Sequence, residues 1–233
     1  MRDEALKALL EERWQVAAAK YGLRLLKDPD DAVARSNRAV ALYESGQWLK
    51  AARAFQDVLR REGPASEVAA PALFSLGYCL LELQQDRASL QATTLFLELS
   101  SEDHPFFWDG VQNLACACHR LGHSAPAVQL YRVVLGVRPH AYAYNGLALS
   151  LANLGRAREA IYVLDRARGA GHWDEVLQRT MEHVTQFAQA PAKATPITGR
   201  PWSRERILGA AFQVLGWKGK PLPRSRRKWR NAP

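Results

Sequence analysis

The chain has 233 residues, 48% of them hydrophobic, and a formal net charge of +9, which is ordinary for a soluble protein of one or two domains. Its three cysteines, Cys79, Cys116 and Cys118, lie in apolar runs, which indicates buried thiols in a reducing compartment rather than a disulfide framework. No run of eighteen apolar residues occurs and the N-terminus is charged, so neither a membrane span nor secretion is expected. The expected location is the cytoplasm.

The positive charge is concentrated at the C-terminal end of the chain. Between residues 191 and 233 there are eleven basic residues and a single acidic one, Glu205, whereas the rest of the chain is almost neutral. A neutral body with a cationic tail is therefore expected.

One pattern of spacing recurs along the chain. In the first copy, Gly46 is followed by Ala51 after five residues, Phe55 after nine and Val58 after twelve. The same offsets recur twice: at Gly122, Ala127, Tyr131 and Val134, and at Gly155, Ala160, Leu164 and Ala167. Such a recurrence predicts an internal repeat of helix pairs, in which the glycine ends one helix and the next two positions pack the following helix.

These offsets, with small residues such as Ala39, Ala115 and Ala148 in the first helix, resemble the tetratricopeptide repeat (TPR), a helix-turn-helix unit of about 34 residues. Residues 32–65, 108–141 and 141–174 carry the pattern most fully, and residues 1–31 are a degraded copy containing Ala17 and Tyr21. The resemblance implies an all-α, right-handed superhelical solenoid of about five antiparallel helix pairs within residues 1–174.

The copy at residues 67–107 fits the pattern less directly. It contains Leu76 and Gly77 in its first helix, but Ala92 and Phe96 serve its second helix only if about three residues are inserted around "QQDRAS". We therefore expect a longer turn in this unit than in the others.

Four segments follow the predicted repeats. Residues 175–190 are predicted to form a capping helix with Val176, Thr180, Val184 and Phe187 on one face, and residues 191–201 a linker rich in proline. Residues 202–216 predict an amphipathic helix, capped by Ser203 and closed by Gly216, that docks on the cap around Val184 and Phe187 or on the concave face. Residues 217–233 predict a flexible basic tail, whose last cations are Arg224, Arg226, Arg227, Lys228 and Arg230.

The resemblance also implies a binding surface, because the first helices of TPR units line a concave groove that binds a peptide or helix. The inward positions carried over to this sequence are Asn37, Tyr43, Phe74, Tyr78, Asn113, His119, Arg120, Tyr142 and Asn145. Asparagine amides can donate to and accept from a peptide backbone, and aromatic side chains can anchor it. Taken singly, each of these residues also has a plain structural interpretation.

One short stretch suggests a metal site. Cys116, His119 and His123 stand at positions i, i+3 and i+7, which places them on one face of a helix. No fourth ligand can be identified, so packed side chains are the preferred interpretation, and neither a metal nor a cofactor is predicted. No nucleophile elbow, phosphate-binding loop or carboxylate pair supports an enzyme.

The expected function is a non-enzymatic scaffold or adaptor that binds a peptide or helical segment in the groove, with the tail adding electrostatic contacts. The alternative is a nucleic-acid-associated protein that contacts phosphates through the tail. An acidic protein surface, anionic lipid or the chain's own solenoid are further candidate partners for the tail.

Overall fold

The structure is a computed structural model that describes residues 4–188 and 202–216. Within these ranges it contains twelve α-helices and no β-strand. The described residues divide into two compact units, one formed by residues 4–100 and the other by residues 101–188 and 202–216. No helix in the described ranges is both long enough and apolar enough to cross a bilayer.

The first unit is a series of helix pairs in which each helix packs on the next one along the chain. Its helices are α1 (Glu4–Leu10), α2 (Trp14–Lys27), α3 (Ala32–Glu44), α4 (Trp48–Glu62), α5 (Ala69–Glu82) and α6 (Asp86–Leu99). Ala17 and Tyr21, from the degraded copy at residues 1–31, are buried in α2.

The second unit continues the same arrangement of pairs. It contains α7 (Phe107–Arg120), α8 (Ser124–Val137), α9 (Ala141–Asn153), α10 (Ala157–Gly169), α11 (Glu175–Thr185) and α12 (Arg204–Leu215). Successive helices from α7 to α11 pack on one another, and α11 contacts both α9 and α10. The small residues Ala39, Ala115 and Ala148 of the two units are fully buried, as the repeat register predicts.

The two helices of each pair are joined by turns of equal length. Three residues separate α3 from α4, α5 from α6, α7 from α8 and α9 from α10. The middle residue of each turn has positive φ: +70° at Gly46, +57° at Gln84, +80° at Gly122 and +72° at Gly155. Glycine is favoured there because it has no Cβ to clash in the left-handed region.

The expected insertion around "QQDRAS" was wrong. Since Gln84 occupies the place of the turn glycine, Ser89 and Thr93 take the positions that Ala51 and Phe55 hold in the preceding pair. The additional residues lie instead in the loops between pairs, at 63–68 and 100–106. A turn within a pair must close two helices in direct contact, whereas a loop between pairs runs over the surface and tolerates extra length.

Close packing explains two glycines within helices. A Cβ at Gly77 would lie 2.6 Å from Thr93 Oγ1, and a Cβ at Gly146 would lie 2.2 Å from Cζ of Tyr131. Beside Gly77, the hydroxyl of Ser89 donates to the Gly77 carbonyl at 2.7 Å. Hydroxyl side chains therefore replace alanine and the aromatic residue where α5 and α6 touch.

The capping helix uses a different face from the one predicted. Thr180 and Val184 are buried in α11, but Leu177 takes the place of Val176, which is exposed. Phe187 lies beyond the end of the helix, also exposed, where its ring contacts His183. The helix begins where Asp174 accepts a hydrogen bond from the Leu177 amide.

The amphipathic helix α12 docks on the second unit, but not on the cap. It contacts α7 and α8, burying Ile207, Ala210 and Ala211, and its first amide donates to the Glu102 carboxylate at 3.1 Å. Gly216 closes it with φ of +69°, as predicted. Ser203 precedes the helix, but its side chain makes no cap bond to the helix backbone, which differs from the prediction.

Candidate functional site

In the first unit, two of the predicted groove residues belong to an aromatic cluster formed by Tyr43, Trp48 and Tyr78. Each pair of these rings has centroids 5.7 Å apart, with interplanar angles of 65–74°, so every contact is edge to face. The three side chains are partly exposed. They come from α3, the start of α4 and α5, so two successive helix pairs build the cluster.

Trp48 is a member that the sequence interpretation missed. It is the first residue of α4, two residues after Gly46, and so falls outside the offsets by which the repeat was identified. Only its place beside the turn, close to the C-terminal end of α3, could have indicated contact with Tyr43. Below the cluster, Phe55 supports Tyr43 with a ring separation of 6.3 Å.

The cluster has an acidic margin. Burial raises the pKa of Tyr78 above its ordinary value, with a smaller effect from Glu82, which lies four residues later on α5. Burial also raises the pKa of the Tyr43 phenol, with smaller contributions from Glu44 and Glu82. Both glutamates are exposed. The rings therefore remain neutral phenols and indole beside two solvated carboxylates.

The other two candidates of the first unit have structural roles. The Asn37 amide donates to the Tyr21 hydroxyl at 3.0 Å and so joins α3 to α2. Phe74 packs on Phe96 with a ring separation of 5.4 Å, which joins α5 to α6. Neither residue belongs to the aromatic cluster.

In the second unit, most of the candidates also have partners within the fold. Asn145 accepts a hydrogen bond from Thr180 of α11 at 2.7 Å. Tyr142, 48% exposed, donates to the Cys116 sulfur at 3.0 Å. Arg120 is exposed at the end of α7.

His119 is held by Ser150. Its Nδ1 lies 3.0 Å from Ser150 Oγ, and because the Ser150 proton is donated to the Gly146 carbonyl, Nδ1 is the donor to Ser150. Burial lowers the pKa of His119, with a smaller effect from Arg120. The imidazole is therefore neutral near pH 7 and contributes no charge to a binding surface.

Asn113 differs from the other asparagines. It is 6% exposed, and its Nδ2 has no hydrogen-bond partner; the neighbouring Gln112 Oε1 is likewise buried and unpaired. Such groups each cost about 1–3 kcal/mol. Both atoms are enclosed by protein, so an external ligand reaches them only if the side chains rotate.

The Cys116, His119 and His123 triplet does not form a metal centre. Cys116 and His119 are bonded to Tyr142 and Ser150, and His123 stands in the turn before α8. No group of three or more His, Cys, Asp or Glu side chains in residues 4–188 and 202–216 is arranged to hold a metal ion. Burial raises the pKa of the Cys79 and Cys118 thiols to about 12, so both remain protonated.

The cations Arg224, Arg226, Arg227, Lys228 and Arg230 of the predicted tail lie outside the described residues, as does the predicted linker at 191–201. Their predicted roles stay predictions.

The sequence matches no protein-family model, and no significantly similar sequence is found among curated proteins. Solved structures do resemble the chain. YrrB, described as a TPR protein with an unusual peptide-binding site, matches with 19% identity and a TM-score of 0.65 over 76% of this chain and 88% of its own. Two structures of MamA match with 15% and 16% identity and TM-scores of 0.59 and 0.60, covering 81% and 80% of this chain and 94% and 99% of theirs. Similarity at this level of identity establishes the fold.

Proposed function

We propose that this chain, whose fold is that of the TPR proteins, is a non-enzymatic scaffold that binds a protein segment through the aromatic cluster Tyr43, Trp48 and Tyr78. The cluster is the observation that carries the proposal. Tryptophan and tyrosine are the side chains that most often dominate binding energy at protein interfaces. Here three of them are gathered on one partly exposed surface.

The position of the cluster supports binding more than folding. A ring that serves only the core is buried, as Tyr21, Phe96 and Tyr131 are in this fold. The cluster rings instead keep part of their surface in water while contacting one another edge to face. Their mutual contacts restrict their rotation before a ligand arrives, which lowers the entropy cost of binding.

The peptide-binding site of YrrB supports the class of ligand, because the two chains share the fold. A second predicted surface, comprising Asn113, His119, Arg120, Tyr142 and Asn145, is also part of the proposal. His119, Tyr142 and Asn145 already have partners within the second unit. Tyr142 and Arg120 are exposed, whereas His119 and Asn145 are only partly exposed and Asn113 is buried.

Peptide display on the immobilised full-length chain, followed by affinity measurement with the selected peptides, tests the proposal. Trp48→Ala should weaken the selected peptides by about 2 kcal/mol or more, roughly 30-fold, because it removes a central aromatic anchor. Phe187→Ala, which removes an exposed ring of the second unit, is the matched control and should leave affinity unchanged. Equal affinity for the wild type and Trp48→Ala would contradict the proposal.

A further inference from the structure

The acidic margin of the aromatic cluster indicates what kind of segment it binds. Glu44 directly follows Tyr43 on α3, Glu82 lies four residues after Tyr78 on the same side of α5, and both carboxylates are exposed. Both charges also act on the Tyr43 phenol. An acidic ligand would meet like charge at this surface, whereas a basic one would meet two carboxylates.

Aromatic rings add to this preference for a cation. An arginine or lysine side chain placed over the face of a tryptophan or tyrosine is attracted by the ring quadrupole, and arginine also stacks its planar guanidinium on the ring. Each such contact is worth roughly 2-fold to 30-fold in affinity, according to how far it is desolvated. The combination of rings and carboxylates therefore suits an arginine-rich segment.

The chain itself contains such a segment. Residues 217–233 contain seven basic residues and no acidic one. In the sequence, Trp229 is flanked by Arg226, Arg227 and Lys228 on one side and by Arg230 on the other. We infer that the surface formed by Tyr43, Trp48, Tyr78, Glu44 and Glu82 is the docking site of this basic C-terminal segment. The inference rests on the proposed function, since it assigns a ligand to the same cluster.

Docking there has a functional consequence. A foreign segment that uses the cluster must displace the basic segment, so the affinity for such ligands depends on the charge of residues 217–233. Neutralising those cations should strengthen the binding of peptides selected on the cluster. The segment thus acts as a competitor supplied by the protein itself.

The experiment uses a full-length chain in which Arg224, Arg226, Arg227, Lys228 and Arg230 are changed to glutamine, which leaves the surface without its proposed occupant. A fluorescently labelled synthetic peptide of residues 217–233 is titrated with this protein, and its anisotropy is measured at low and high salt. We expect saturable binding that weakens with salt, because exposed charges are screened.

Two variants of that protein define the site. Trp48→Ala should weaken the peptide at least tenfold, and the surface substitutions Glu44→Gln with Glu82→Gln should weaken it and flatten the salt dependence, whereas the Phe187→Ala control should bind like the parent. Since the glutamates are exposed, their replacement leaves the fold intact, which circular dichroism verifies.

The absence of saturable binding, or equal binding by both variants and the parent, would overturn the inference. If peptides selected by display still require Trp48 while the basic peptide does not bind, the scaffold function stands and only the assigned ligand is wrong. If neither kind of ligand depends on Trp48, both proposals fail.

Discussion

Replacing Gly146 with alanine is expected to destabilise the second unit, although alanine is the better helix former. Gly146 lies inside α9, and a Cβ there would stand 2.2–2.6 Å from three atoms of the Tyr131 ring. Ordinary van der Waals contact begins at 3.4 Å, so the ring or the helix must move by about 1 Å. Tyr131 is 1% exposed, which leaves its ring no free space.

The magnitude follows from two opposing contributions. Overpacking by a single methyl group costs about 1–3 kcal/mol, and a clash with a fully buried ring belongs at the upper end of that range. Alanine recovers about 1 kcal/mol of helix propensity. The net loss is therefore about 2 kcal/mol, or about 4–8 °C in the melting temperature of a chain of this size.

Thermal and urea unfolding, followed by circular dichroism, measure this loss. Gly136→Ala is the matched control because it makes the same change in α8 at a position with nothing within 4 Å, and it should be neutral or slightly stabilising. Adding Tyr131→Leu to Gly146→Ala should cost less than the two single changes summed, since the clash disappears. A Gly146→Ala protein as stable as its parent would refute the packing described for α8 and α9.

Four further predictions concern stability. Ala127→Leu should cost about 1–3 kcal/mol because Ala127 is fully buried in α8, and an unchanged melting temperature would contradict the repeat register. Gln84→Gly should raise the free energy of unfolding in urea by up to about 1 kcal/mol, because it relieves a left-handed backbone at φ +57°, and a loss of stability would count against that turn. The pKa of His119 is lower in the folded protein than in the unfolded chain, where it is near 6.5, so the neutral imidazole contributes fully to stability above about pH 6.5 and this contribution is lost as the pH falls towards the folded pKa. His119→Gln should therefore make the melting temperature depend less on pH between 7.5 and 5.5. A pH profile unaltered by this substitution would contradict the burial of His119. Ile207→Asp should release α12 and increase hydrogen exchange in α7 and α8, which unchanged exchange would disprove.

The repeat could be predicted from sequence wherever its small residues and turn glycines are present. Gly46, Gly122 and Gly155 each mark a left-handed turn, so the helices around them follow from their spacing. The pair α5–α6 was misaligned because Gln84 adopts the same conformation without being glycine. Ser89 and Thr93 are polar, so they did not match the alanine and aromatic positions of the repeat pattern. They join α5 and α6 through a hydrogen bond to Gly77 and close packing against it, rather than through apolar side chains.

The candidate site was predictable only in part. Tyr43 and Tyr78 stand at positions that the family places on its concave face, and the structure brings them together. Sequence could not show that Asn37 and Asn145 are bonded to Tyr21 and Thr180, because the partners lie sixteen and thirty-five residues away. It also could not show Trp48, whose contact with Tyr43 and Tyr78 depends on how one helix pair stacks on the next.

The docking of α12 has a consequence for how the second unit folds. Helices α7 to α11 mainly contact their neighbours along the chain. Folding of this part can therefore begin at any helix pair and spread to the adjacent pairs, as it does in repeat proteins. The hydrogen bond from the Arg204 amide to Glu102 joins residues 102 positions apart, so it can form only after most of the second unit has folded and brought the two residues together. We expect a late kinetic phase in refolding that reports on α12, and on the ribosome this contact waits until residue 215 has emerged. Until then, the surface of α7 and α8 that Ile207 covers is open to other apolar segments.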